Sequence, residues 1–204
     1  MKIMDKLYNK LKYNKKLMLF LSIIVIAGII SGAFLIVILK SNDKQLVTDS
    51  IKQFIQNTNN NISILKNSLI LNLLIVIGIW LLGISVIGSL ITIVLIFWKS
   101  FTLGFTISGF ILTYNLKGLL IAFCYIFPHI IINLLIFMYL GTFAIKFSIL
   151  IIKCIFHKIN LDFRKLTIIY LKVLLICIIS IFLTSIFEAF VTPILLKYLI
   201  SLLF

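Results

Sequence analysis

The apolar runs of this chain limit its fold more than any other feature of the sequence. The first run, residues 17–39, reads LMLFLSIIVIAGIISGAFLIVIL and contains no charged residue. A helix of about 20 apolar residues crosses the hydrocarbon core of a bilayer, and backbone groups in lipid must bond internally, so such runs form helices. Only 12% of residues are charged, against ~25% in soluble domains. We therefore predict an all-α polytopic membrane protein with about five transmembrane helices, some broken at Gly or Pro.

The polar segments between the apolar runs predict four regions. Residues 1–16 form a basic cytoplasmic N-terminus, residues 17–39 the first transmembrane helix, residues 40–66 an extracytoplasmic loop, and residues 67–200 a helical membrane domain. With five crossings, most of the 19 Lys and Arg residues lie on the cytoplasmic side, as the positive-inside rule requires. We interpret the net charge of +14 as a topology signal that favours membrane lipid as a partner and gives no reason to expect nucleic acid.

The first apolar run is predicted to be a retained helix. It is longer than the ~7–15 residues of a signal-peptide core, and no A-x-A cleavage site follows it. Gly28 and Gly32 have the GxxxG spacing that lets two helix backbones approach closely. We expect this spacing to pack the helix against another helix of the same chain.

Residues 40–66 are predicted to contain a short amphipathic helix. Val47, Ile51, Phe54 and Ile55 are spaced as one helical face, and the NTNNN sequence that follows is typical of a loop. Such a helix lies on the outer leaflet or against a partner domain. A simple surface hairpin between two spans is the alternative.

Residues 67–97 form an apolar run too long for one upright helix. Glycines recur in it at five-residue intervals, at Gly78, Gly83 and Gly88. Trp98 and Lys99 follow the run and are typical of an interfacial anchor, so we expect them at the end of a span. The run predicts either a tilted, broken helix or a helix followed by a re-entrant segment.

Three further spans are predicted after Lys99. The first ends at the NLKG sequence, residues 115–118, which is predicted to be a turn. Residues 119–152 form the next apolar run, with a kink or break at Pro128. The last run begins at Leu166, and Pro193 is expected to end or kink it.

Several motifs, taken in order, resemble stage II sporulation protein M of endospore-forming bacteria. They are IWLLGISVIG, FWKSFTLGFT, FPHIIINLLIF and FEAFVTP, and the resemblance covers roughly residues 66–200. The family pattern has a glycine after Lys, a glycine after Pro-His and a glutamate four residues after the His. Here Ser100, Ile130 and Asn133 stand at those positions.

The resemblance implies a non-enzymatic scaffold in the cell membrane at the sporulation septum. Such a scaffold recruits cell-wall hydrolases, the stage II sporulation proteins D and P, for septal peptidoglycan thinning and engulfment of the forespore. Self-association into a homo-oligomer is compatible with the sequence. The candidate structural or functional residues are Gly83, Gly88, Lys99, Gly104, Pro128, His129, Asn133, Glu188, Thr192 and Pro193.

Glu188 is the only glutamate of the chain and follows a long apolar run. An ionised carboxylate in hydrocarbon is costly, so it calls for a partner, water or a function. We expect a structural anchor near the outer end of the last span, with polar groups of Thr184, Ser185 and Thr192 around it. Pairing with His129 would fix the packing of two spans or line an ion path.

Two other functions are weighed against the scaffold. A small transporter or channel subunit would use Glu188 and His129 to contact the solute, because broken helices suit such sites. A serine protease would need Ser108 and His129 to form a dyad. No HExxH motif, paired acids or CxxC spacing occurs, so no metal, disulfide or cofactor is expected.

Overall fold

A computed structural model describes residues 15–56, 61–126, 129–157 and 163–203. These residues form six helices: α1 Lys15–Ile38, α2 Ser41–Gln56, α3 Asn61–Gly83, α4 Gly88–Ile126, α5 Ile130–His157 and α6 Phe163–Leu203. All except α2 are long and apolar enough to cross a membrane. The prediction of an all-α polytopic membrane protein is confirmed. Most of the predicted basic N-terminus and Pro128 lie outside the described residues.

The GxxxG pair of α1 packs against α4. A Cβ atom added to Gly28 would lie 2.8 Å from Cβ of Ser100, and one added to Gly32 would overlap the carbonyl group of Phe101. From the other side, Gly104 of α4 lies against the backbone of Ile29. Glycine therefore brings the two backbones together, as GxxxG spacing does in membrane helices. The predicted packing within the chain is confirmed.

The long apolar run after Lys66 is divided between two helices. α3 ends at Gly83, and the turn begins with amide groups of Ile84 and Ser85 that donate to carbonyls of α3 at 3.1 and 3.0 Å. Gly88 begins α4 and lies against the carbonyl of Leu82, where a side chain would not fit. Gly88 therefore allows the start of α4 to lie close to α3, whereas a Cβ atom on Gly83 would overlap Tyr170 of α6 and Ala144 of α5.

The expectation that Trp98 and Lys99 end a span is wrong. Both lie in the interior of α4, which continues as a regular helix as far as Tyr114. A lysine is usually expelled to the membrane interface, which is why it predicted an end. Here it faces an internal pocket that also contains a carboxylate.

The predicted turn at residues 115–118 is confirmed. Asn115 interrupts α4 with a φ of 52° and a ψ of −134°, in the left-handed half of the backbone map that asparagine adopts more readily than most residues. A Cβ atom on Gly118 would overlap the carbonyl of Phe110, eight positions earlier. An uninterrupted helix would separate these residues by ~12 Å, so the chain turns back at Asn115. The returning segment buries Ile121 and Ala122 in the core.

Pro193 does not end the last helix, because α6 continues to Leu203. Proline has no amide hydrogen, so the carbonyl of Ala189, one turn earlier, lacks its usual helical donor. Of the two outcomes predicted at this proline, an end of the helix is therefore wrong, and a kink stays a prediction.

The amphipathic helix predicted between the first two spans is α2. Its apolar side chains Val47 and Ile51 pack at Gly109 of α4, and Ile55 lies against the core. Leu46 points away from this contact and is 66% exposed. The helix is confirmed and the simple hairpin is wrong. The side chain of Phe54 lies outside the described residues.

An aromatic stack joins α3, α5 and α6 at the other end of the bundle. The ring of Tyr170 stacks on Phe147 and Trp80, with centroids 4.6 and 5.6 Å away, and its hydroxyl donates to the Trp80 carbonyl at 3.0 Å. Ser148 donates to the carbonyl of Ser85 in the α3–α4 turn at 3.1 Å. These contacts bury the tyrosine completely and hold the turn on the bundle.

Candidate functional site: a polar pocket among the membrane helices

Glu188 of α6 accepts a hydrogen bond from a membrane helix that lies far from it in sequence. The Ser68 hydroxyl of α3 donates to its Oε2 atom. Asn72 lies one turn further along the same face of α3 and donates from Nδ2 to Ser68 Oγ at 3.2 Å. Ser185, three residues before Glu188 on α6, has its Oγ 3.3 Å from the same hydroxyl oxygen. A chain of polar groups thus joins α3 to α6.

His129 and Asn133, at the start of α5, lie beside this row of polar groups. The Nε2 atom of His129 lies 3.7 Å from Oε1 of Glu188, and the imidazole is 1% exposed. Asn133, one turn later, accepts a hydrogen bond at Oδ1 from Thr184 Oγ1 at 2.5 Å. The pairing of His129 and Glu188 that the sequence suggested is confirmed as proximity, and a hydrogen bond between Thr184 and Asn133 joins α6 to α5 beside it.

Lys99 of α4 completes the site from the opposite wall. It lines the same pocket as Glu188, with Thr102 and Thr106 from the following turns of α4. Among the described residues, no carboxylate oxygen lies within 4.0 Å of its ammonium group, and that group donates no hydrogen bond. The two charges therefore face one pocket without forming a direct ion pair.

The pocket has a volume of about 170 Å³ and combines apolar walls with a cluster of polar side chains. Its polar lining comes from four helices: Ser68 and Asn72 of α3, Lys99, Thr102 and Thr106 of α4, Asn133 of α5 and Glu188 of α6. One cation, one anion, two amides and three hydroxyls can together hold a small polar molecule that carries charge of both signs. Within the described parts of the chain, no three His, Cys, Asp or Glu residues are grouped so that they could hold a metal ion.

The candidate residues from the sequence fall into three groups. Glu188, Lys99 and Asn133 line the pocket, and His129 contacts Glu188. Thr192 is buried on the same helix, four residues beyond Glu188, but does not line the pocket. The remaining described candidates serve helix packing or lie in the last helix: Gly83, Gly88, Gly104 and Pro193.

Four polar lining residues were missed by the sequence reasoning, namely Ser68, Asn72, Thr102 and Thr106. Their signal was present, because Thr102 and Thr106 recur at a helical spacing, as Ser68 does with Asn72. Serine and threonine are nevertheless common in membrane helices, where they bond to their own backbone. Thr106 does this here, donating to the carbonyl of Thr102 at 2.8 Å. Ser108 makes no hydrogen bond to His129 in the part of the chain that the structure describes.

A sequence model of the family described as stage II sporulation protein M matches residues 18–193, which include the whole pocket and most of every span. The chain belongs to the stage II sporulation protein M family. It is therefore a sporulation-related membrane protein. No curated protein and no solved structure matches the chain.

Two departures of this family member from the resemblance pattern have a structural explanation. Ser100 stands where the pattern has glycine, at the close contact with Gly28, and its hydroxyl bonds back to the carbonyl of Ile96 at 2.8 Å. A serine is short, and its hydroxyl hydrogen bonds within its own helix, so it is compatible with the close helix contact. Asn133 stands where the pattern has glutamate and still bonds to α6 through Thr184. Among the described residues that line the pocket, Glu188 is thus the single carboxylate.

Proposed function

We propose that this protein is a non-enzymatic membrane scaffold that recruits and positions septal peptidoglycan hydrolases for septal wall thinning and forespore engulfment. The family match over residues 18–193 is the observation that carries the proposal. The expected partners are the stage II sporulation proteins D and P, which act on the wall outside the membrane. The N-terminus lies in the cytoplasm in this proposal, and the protein works at the sporulation septum.

The polar face of α2 is the contact surface that suits such partners best. With the N-terminus inside, α2 lies on the outer side, where the wall is. Its apolar side chains already pack on α4. Its exposed polar side chains therefore face away from the bundle; they include Asp43, Gln45, Asp49, Lys52 and Gln53. Mixed charge on a surface that is held rigidly at the membrane favours the recruitment of a charged partner.

The proposal is tested by recovering the partners with the full chain from sporulating cells. Reversal of two α2 charges, in an Asp49→Lys and Lys52→Glu double variant, should reduce recovery of proteins D and P about tenfold. A Lys153→Glu and Arg164→Glu double variant is the matched control, because those exposed charges lie at the opposite end of the bundle. Equal recovery with both double variants would contradict the assignment of α2 as the contact surface.

A small transporter or channel subunit is the second candidate, and the polar pocket supports it. Intramembrane residues that carry charge commonly mark a solute or ion path. Purified protein in liposomes should then carry ions or small polar solutes, and Glu188→Gln should abolish the flux. Absence of flux with the unmodified protein would exclude this candidate for the solutes tested and leave the scaffold.

A further inference from the structure

The separation of the two charged side chains in the pocket favours the binding of a ligand between them. Lys99 and Glu188 line one cavity, yet the lysine ammonium has no carboxylate within 4.0 Å among the described residues. Two opposite charges in an apolar bundle gain most from direct contact, because that contact offsets part of the loss of water. Glu188 has the Ser68 hydroxyl and the His129 imidazole beside it, whereas the Lys99 ammonium donates no hydrogen bond among the described residues. Here they are held apart on different helices. The space between them is suited to a molecule that places an anion at one wall and a cation at the other.

The volume of the pocket sets the size of that molecule. About 170 Å³ holds roughly six water molecules at ~30 Å³ each, or one small zwitterionic group. Hydroxyls of Thr102 and Ser68 and the amide of Asn72 line the same space. The hydroxyl hydrogens of Ser68 and Thr102 already bond to Glu188 and to the Lys99 carbonyl, but the hydroxyl oxygens can accept from an ammonium group and the second amide hydrogen of Asn72 can bond to a phosphate oxygen. The chemistry matches a phosphate joined to a primary amine by a short linker.

The position of the pocket favours a lipid as the source of that group. Leu71, on the pocket wall, is 58% exposed, and Thr102 is also exposed, so the mouth opens on the outer surface of a membrane-spanning helix. Ser68 lies just after Lys66 and Asn67, which are both exposed near the start of α3. Lysine at such a position reaches the lipid headgroups. The pocket therefore lies beside the headgroup region and opens sideways into the bilayer.

We propose that this pocket binds the headgroup of an amine-bearing zwitterionic phospholipid, with the phosphate at Lys99 and the ammonium at Glu188. The site does not depend on the scaffold function. It would fix one lipid between α3, α4 and α6 and so connect Lys99 of α4 to the polar contacts that already join α3 to α6.

Native mass spectrometry of the full-length protein tests the site. The protein is released from nanodiscs that contain equal amounts of phosphatidylethanolamine, N-acetylated phosphatidylethanolamine and phosphatidylglycerol. We expect phosphatidylethanolamine to be retained about tenfold over the other two, because only it presents both charges. Lys99→Met and Glu188→Gln should each remove this preference. Lys66→Met is the matched control and should keep it, since Lys66 does not line the pocket.

The headgroup comparison on the unmodified protein needs no variant, so it is decisive even if a variant fails to fold. Equal retention of the three lipids would overturn the proposal. A further arm adds free phosphoethanolamine during release. If the free zwitterion displaces the lipid at an equal concentration, the ligand is a soluble molecule and the lipid assignment is wrong; if the lipid stays bound, the assignment holds.

Discussion

Ser68 of α3 donates a hydrogen bond to the carboxylate of Glu188 on α6, 120 residues later in the chain. The contact accounts for a lone glutamate in an apolar helix, because the carboxylate has a hydroxyl donor, a neighbouring imidazole and a lysine across the same pocket. An ionisable group at membrane depth normally requires partners of this kind. Glu188 thus lies at the point where α3, α5 and α6 meet.

Lys99 and Glu188 are expected to be energetically coupled although they do not touch. Removing either charge leaves the other in the apolar bundle without its opposite charge, which is destabilising, whereas removing both is less costly. In a double-mutant cycle of Lys99→Met and Glu188→Leu, the double variant should therefore lose less stability than the sum of the single losses, by about 1–2 kcal/mol. The free energy of unfolding is measured in mixed micelles titrated with sodium dodecyl sulfate.

A second cycle with Lys66→Met in place of Lys99→Met is the control. Lys66 is exposed on α3 and does not line the pocket. The changes in the free energy of unfolding caused by Lys66→Met and Glu188→Leu should therefore be additive within ~0.5 kcal/mol. Additivity in the Lys99 cycle would show that the two charges do not share one site.

The contact between α1 and α4 is expected to tolerate no side chain at Gly32. A Cβ atom there would overlap the backbone of Phe101, so Gly32→Ala must push the helices apart, at a cost of about 1–3 kcal/mol. Gly78→Ala is the matched control, because nothing lies within 4 Å of a Cβ atom at that position. It should leave stability unchanged or raise it by ~0.5–1 kcal/mol, since alanine favours the helix. Equal effects of the two substitutions in the same unfolding assay would contradict this packing.

Tyr170 is expected to stabilise the bundle more through its ring than through its hydroxyl. Tyr170→Phe loses only the hydrogen bond to the Trp80 carbonyl, and such bonds average ~0.6 kcal/mol in membrane proteins. Tyr170→Ala also removes the stack on Phe147 and leaves a cavity, which should cost about 3–5 kcal/mol. Thermal unfolding followed by tryptophan fluorescence separates the two losses. Similar losses from both variants would mean that the hydroxyl, not the ring, holds the three helices.

The bond between Thr184 and Asn133 is expected to hold α5 on α6. Thr184→Val removes the donor while keeping the shape of the side chain, and the loss should be about 0.5–1.7 kcal/mol. Thr184→Ser keeps the hydroxyl and should lose less. Ser180→Ala removes a hydroxyl of α6 that bonds only to its own helix, to the Ile176 carbonyl, and serves as the control. If the Thr184→Val and Ser180→Ala variants have the same free energy of unfolding, the hydrogen bond between Thr184 and Asn133 does not stabilise the protein.

The sequence predicted the helices of this fold better than it predicted their ends. Apolar length and periodicity indicated the spans and α2, because both depend on residues close together in the chain. The Asn-Leu-Lys-Gly sequence likewise marked the reversal at Asn115. The turn between α3 and α4 contains no polar residue except Ser85, so the change in hydropathy that usually marks a loop is missing.

The pocket could be predicted only in part, because it is assembled by contacts between distant helices. Glu188 and His129 stood out as rare ionisable groups in apolar segments, and their proximity followed from the cost of leaving either alone. Lys99 was assigned to an interface, since a lysine inside a span is costly without an opposite charge nearby. That charge, Glu188, comes from the other end of the chain, and nothing local to Lys99 indicates it.

The most direct test of the scaffold proposal follows the hydrolases in living cells. The gene for this protein is deleted in a sporulating host, and fluorescent fusions of the stage II proteins D and P are imaged with and without a copy of the chain restored. The account predicts that both hydrolases leave the septum and engulfment stops in the deletion strain, and that the restored chain returns both. Septal hydrolases and normal engulfment in the deletion strain would contradict it.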